Sequence, residues 1–110
     1  MKTLYRTIQK RTPAPEDFLS NIAKGKPLPR NPEKQRLALG ISCWETLAQA
    51  RAMAKRFPSL GNFIAEIALD DDEQVHYKRT TESVGHWTAW AASDVFLQCV
   101  QTVYPVATDE

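Results

Sequence analysis

The chain has 110 residues, 43% of them apolar and 25% charged, with two cysteines and a net charge of +1. That length is one domain, able to bury roughly two-thirds of its unfolded surface, and the balance of apolar and charged residues excludes wholesale disorder. The charge is uneven: residues 1–40 carry nine Lys/Arg and three Asp/Glu (+6), and residues 41–110 carry five and ten (−5), a pattern that suits an anionic partner or two mutually attracting faces.

Met1-Lys2-Thr3-Leu4-Tyr5-Arg6 reads directly into an alternating segment without an apolar leader. The apolar runs are far too short for a membrane span. A cytoplasmic chain is therefore expected, with Cys43 and Cys99 as buried free thiols in apolar stretches.

Residues 3–9 alternate, so Leu4, Arg6 and Ile8 share one face of a strand and Tyr5 and Thr7 the other. Thr12-Pro13-Ala14-Pro15 breaks the chain, and Pro15 with Glu16 and Asp17 opens a helix. Phe18, Leu19 and Ile22 give that helix its stripe, and Gly25 ends it. Lys26-Pro27-Leu28-Pro29-Arg30 is an extended connector. Asn31-Pro32-Glu33 starts a short helix whose main apolar residue is Leu37, with Gly40 as terminator.

Ile41–Trp44 reads as a strand. Thr46 and Gln49 form a capping box for a helix over 47–57 that presents Leu47, Ala50, Ala54 and Phe57. Asn62–Leu69 and Val75–Thr81 are strands joined through an acidic turn, Asp70-Asp71-Asp72-Glu73, and together predict a hairpin. That turn lacks the Gly and distal Glu of a calcium loop. Glu82–Gly85 is a loop and His86–Trp90 a strand. Ser93-Asp94 caps a helix through Cys99, Gln101–Val106 is the last strand, and 107–110 is a fraying tail. This order predicts a single α+β domain: a mixed, curved sheet of about six strands flanked by three or four helices.

Four groups could carry chemistry. Arg6 places a charge among core positions, which calls for an internal partner such as Glu66 or Glu82, a side chain that snorkels to an edge, or a phosphate or carboxylate ligand. In Gly85-His86-Trp87-Thr88-Ala89-Trp90, His86 brings the residue type suited to proton transfer, and the indoles either fill the core or stack a ligand. Ser42 and Trp44 share a strand face, but Ser42 has no Gly-x-Ser-x-Gly elbow. Cys43, Cys99, His76 and His86 lack the paired spacing of a zinc site, so no metal is expected. No phosphate loop or dinucleotide fingerprint is present. The basic N-terminal portion has no interleaved aromatics on a strand platform, which argues against nucleic acid.

Leu4-Tyr5-Arg6 on a first strand, then Gly40-Ile41-Ser42 and a helix with Ala48, Ala50 and Arg51, resembles the opening of small ADP-ribosyltransferase-like domains, NAD-degrading toxins among them. The chain also resembles a group of small uncharacterised bacterial proteins over nearly its whole length. They share the pattern Tyr-Arg, Gly-x-Ser and Gly-His-Trp-Thr-x-Trp, represented here by residues 5–6, 40–42 and 85–90. The transferase resemblance implies NAD as the cofactor or substrate, held by Arg6 with Ser42 lining the nicotinamide pocket. It also implies a late catalytic acid, for which Glu82 is the positional candidate. The family's Glu/Gln-x-Glu pattern is absent.

The expected function is binding of NAD or another nucleotide, in the setting of a toxin–antitoxin pair. Arg6, Ser42, His86 and Glu82 are the catalytic candidates. Arg6, Ser42, Trp44, His86 and Trp87 are the ligand-binding candidates, and Arg6, Ser42 and His86 are expected to share one cleft. The alternative is a non-enzymatic protein-interaction module that uses the basic portion or exposed tryptophans. No membrane partner is expected.

Overall fold

The computed structural model describes residues 1–70, 74–80 and 85–107. Among them six strands form one sheet: β1 (Lys2–Ile8), β2 (Ile41–Trp44), β3 (Phe63–Leu69), β4 (His76–Arg79), β5 (His86–Trp90) and β6 (Val100–Pro105). Three α-helices accompany it, α1 (Pro32–Ala38), α2 (Leu47–Arg56) and α3 (Ser93–Gln98), with 3-10 turns at Pro15–Phe18 and Pro58–Leu60. The class is α+β, as the element order predicts. The sheet, however, runs β4-β5-β2-β1-β3-β6 with every neighbouring pair antiparallel, where a mixed sheet was expected.

The expected hairpin between residues 62–69 and 75–81 does not form. β3 lies between β1 and β6, and β4 pairs with β5 at the opposite edge. The cause is the match between β1 and β3, which pair over all of β1 from Lys2↔Leu69 to Ile8↔Phe63. That register puts Leu4 beside Ile67 and buries both completely. Direct opposites in an antiparallel pair share a face, so one sheet face collects Leu4, Ile8, Ile41, Cys43, Ala65, Ile67 and Leu69. Phe18 and α3's Phe96 cover it, their rings stacked at 6.1 Å. Of the acidic turn, residues 71–73 lie outside the described segments.

On the opposite face, α2 covers β1 and β3 with Ala50 and Ala54, both buried, above the fully buried Ile64. Small side chains let helix and sheet approach closely. The predicted capping box is realised: the Gln49 N–H donates to Thr46 Oγ1 and the Thr46 N–H to Gln49 Oε1, each at 3.1 Å. Phe57, expected on the buried stripe, ends the helix and is 45% exposed, with the Arg56 guanidinium over its ring.

Two other predicted helix signals fall short. The helix expected from Pro15 to Gly25 is only a 3-10 turn, because Leu19 adopts extended backbone (φ −83°, ψ 136°). The Asp17 carboxylate accepts the Ala14 and Gln9 N–H groups and fixes that turn to the end of β1. At α3 the cap is Ala92, without a side-chain hydrogen bond, where Ser93-Asp94 was expected to serve. At α1 the expected cap holds, with Asn31 Oδ1 accepting the Glu33 and Lys34 N–H groups. Gly61 has φ +141°, and a Cβ there would collide with the Ile8 carbonyl; only glycine fits where this turn crosses the end of β1.

Candidate functional site

Arg6 sits on the core face, opposite Ala65 and not Glu66, because Glu66 is the partner of Tyr5. Of the two acids suggested for it, Glu66 is therefore on the other side of the sheet and Glu82 lies outside the described residues. Its guanidinium instead donates two short hydrogen bonds to backbone: Nε to the Asp17 carbonyl (2.7 Å) and Nη1 to the Ser42 carbonyl (2.8 Å). Burial lowers the Arg6 pKa, while neighbouring Cys43 and Asp17 act in the opposite direction. The planar fork ties the Pro15–Phe18 turn to β2. This is an anchor between elements distant in sequence.

The side chain of Ser42 points the other way. β2 and β5 pair as Ser42↔Thr88 and Trp44↔His86, on the face opposite Arg6. That face therefore does bring Ser42, Trp44 and His86 together, and Trp44 meets His86 edge-on at 5.1 Å. Three of the five expected ligand-binding residues are neighbours, and the other two, Arg6 and Trp87, are behind the sheet. His86 Nδ1 lies 3.2 Å from both the hydroxyl and the carbonyl oxygen of Thr80, and Thr80 Oγ1 lies 2.6 Å from Thr88 Oγ1. Histidine is thus held by a local hydroxyl network.

Trp87 belongs to the core face, opposite Cys43. Lys2 Nζ lies 4.5 Å and the Arg79 guanidinium 5.6 Å from its ring centroid, and Glu45 Oε1 receives both cations at 3.4 and 3.2 Å. Its ring is flanked by two of the protein's own cations. Glu82 lies outside the described residues. Cys43 is fully buried and Cys99 partly so, and burial pushes the Cys43 thiol up to about 12. Among the described residues, no three of His, Cys, Asp and Glu converge as metal ligands. No helix there is long and apolar enough to cross a membrane.

The concavity with ligand-like chemistry lies at the other end of the Ser42 face, between α1 and the β4–β5 pair. Two abutting hollows, about 220 and 330 Å³, share Arg36, Lys78 and Trp90 and make one open trough. Thr80 and Leu37 line one part and His76 the other. Trp90 is fixed from both sides. Its Nε1 donates to the Arg36 carbonyl at 2.8 Å, and Gly40 stands so close that a Cβ would come within 2.9 Å of that nitrogen. The Arg36 guanidinium lies 5.4 Å from the indole centroid, a cation–π pair. Among the described residues, Glu33 is the one acid lining either hollow.

Of these groups, sequence reading singled out the strand that carries Trp90, and weighed His76 as a metal ligand. Arg36 and Lys78 are 42 residues apart in sequence and gave no local motif. The cap and terminator of α1, Asn31 and Gly40, were the available signal that Arg36 would be delivered by a helix.

A second arrangement sits lower on the same face. Tyr5 and Tyr104, on strands flanking β3, both donate hydroxyl hydrogens to Glu66 Oε1, at 3.2 and 3.3 Å. Burial, followed by the Glu66 charge, raises the Tyr5 pKa. Sequence reading offered Glu66 as a partner for Arg6, and only the register shows that two tyrosines flank it instead.

No family model matches the chain, and neither a curated protein nor a solved structure shows significant similarity to it.

Proposed function

We propose that this domain is a non-catalytic nucleotide-binding module, and that its ligand surface is the trough between α1 and β4–β5. The observation that supports the reading is the Arg36 guanidinium over the Trp90 indole, with Lys78 lining the same two hollows. A nucleotide needs two chemistries from its site, a flat surface for the base and positive charge for the phosphate. Trp90 with its overlying guanidinium supplies the first, and Lys78 with Arg36 the second. Catalysis is not part of the reading, because Arg6 is spent on backbone carbonyls and separated by the sheet from Ser42 and His86.

Titrating the protein with ADP and with NAD by calorimetry tests this. Binding is expected for both, with at least a tenfold loss in Lys78→Glu. Arg6→Ala is expected to keep its affinity under conditions where it remains folded. Wild type that binds neither nucleotide, or that hydrolyses NAD with dependence on Arg6, refutes the proposal.

A further inference from the structure

The trough has two features that a single nucleotide leaves unused. It is open and elongated. From Thr80 to His76 its β4 wall runs about 13 Å, at roughly 3.3 Å per residue. Its polar groups are also strung along that wall: the Thr80 hydroxyl, then the Lys78 ammonium, then the His76 imidazole, with the Arg36 guanidinium facing them from α1. A site made for a compact cofactor encloses most of its ligand, typically in ~300–1,000 Å³. The combined volume of these two hollows, about 220 and 330 Å³, is of that order, but both are open to solvent and share three lining residues.

We infer that the ligand of this trough is a single-stranded nucleic acid, lying along β4 with one base stacked at Trp90–Arg36 and its phosphates flanked by Lys78 and Arg36. The inference rests on the nucleotide-binding reading and extends it from a monomer to a strand. Stacking on an indole requires an unpaired base, so a duplex does not satisfy the site. Affinity for a strand comes from backbone charge and stacking together, both of which are sequence-tolerant. The aromatic platform that is missing from the linear sequence is assembled in three dimensions. Trp90 lies on β5 and the cations come from α1 and β4, so no basic–aromatic run exists to be read.

The test uses fluorescence anisotropy of the full chain with labelled decathymidylate and decauridylate, alongside calorimetry with ADP. Either oligonucleotide is expected to bind at least tenfold more tightly than ADP, with affinity falling as salt rises. Lys78→Glu and Arg36→Glu are each expected to weaken binding at least tenfold. Each is also expected to flatten the salt slope by about 0.7 for every phosphate that the variant no longer neutralises. Both side chains are exposed, so both variants are expected to fold. Glu33→Gln, which removes the acid from the trough, is expected to tighten binding.

Oligonucleotides that bind no better than ADP overturn the inference and leave the mononucleotide reading standing. Absence of binding to all three ligands overturns both. Binding unchanged in Lys78→Glu and Arg36→Glu removes the site from the trough. Displacement by duplex or by polyglutamate of equal charge, as effective as by unlabelled single strand, overturns it in favour of a general polyanion surface.

Discussion

Arg6 and Ser42 touch through the Ser42 carbonyl, which accepts from Nη1 at 2.8 Å, while the Ser42 hydroxyl lies on the other face of the sheet. One residue thus serves two unrelated surfaces: its backbone completes the cradle of a core arginine, and its side chain joins the polar face near His86. Arg6 also reaches the Asp17 carbonyl, so a single side chain holds β1, β2 and the Pro15–Phe18 turn in register.

Arg6→Ala is expected to destabilise the fold by about 3 kcal/mol, since it strands two carbonyls and opens a cavity. Arg6→Lys recovers little, because an ammonium does not reproduce the two-point fork. Urea unfolding of the two variants measures this. A loss below the error of the method returns Arg6 to the pool of ligand-binding residues.

Cys43 makes the fold sensitive to alkaline conditions. Its thiol pKa is raised from 9.0 to about 12 by burial, with the Arg6 charge acting in the other direction. The native state therefore retains a proton that the unfolded chain gives up. Stability is fully present below pH 9 and falls between pH 9 and about 12, by up to about 1.4 kcal/mol per pH unit. Tyr5, also raised, adds a loss of the same sign above pH 10. Unfolding midpoints measured from pH 8 to 11 are expected to fall less steeply in Cys43→Ala, and a thiol reagent is expected to reach Cys43 only on unfolding.

The two tyrosines on Glu66 act together. Tyr5→Phe and Tyr104→Phe are each expected to cost about 1 kcal/mol, near the usual value for one hydrogen bond. The double variant is expected to cost more than their sum, since Glu66 Oε1 then loses both hydroxyl donors. A double-mutant cycle by chemical denaturation gives the coupling, and strict additivity refutes shared dependence on that oxygen.

Two serine or threonine helix starts that look alike in sequence behave differently. Thr46→Ala is expected to cost about 1 kcal/mol, because Thr46 Oγ1 accepts the Gln49 N–H. Ser93→Ala is expected to cost little, because the α3 cap position is Ala92 and makes no side-chain hydrogen bond. Equal losses in thermal unfolding contradict the cap assignment.

The sequence alone determined the local elements: the alternation of β1, the Thr46–Gln49 box, the Asn31 cap, and the anomaly of Arg6 on an apolar face. Each rests on interactions within a few residues or on a period of two or 3.6, and these survive in any tertiary setting. Only the tertiary structure decided which strands are neighbours. The favoured hairpin of β3 with β4 lost to the full-length match of β3 with β1, because burying Leu4 against Ile67 outweighs the convenience of a short turn. That pairing order set the rest. It put Arg6 behind the sheet from Ser42 and His86, gave Glu66 to the tyrosines, and brought Arg36, Lys78 and Trp90 together from three elements. A face of a sheet is a property of register, and register is settled by long-range burial that no local stretch of sequence contains.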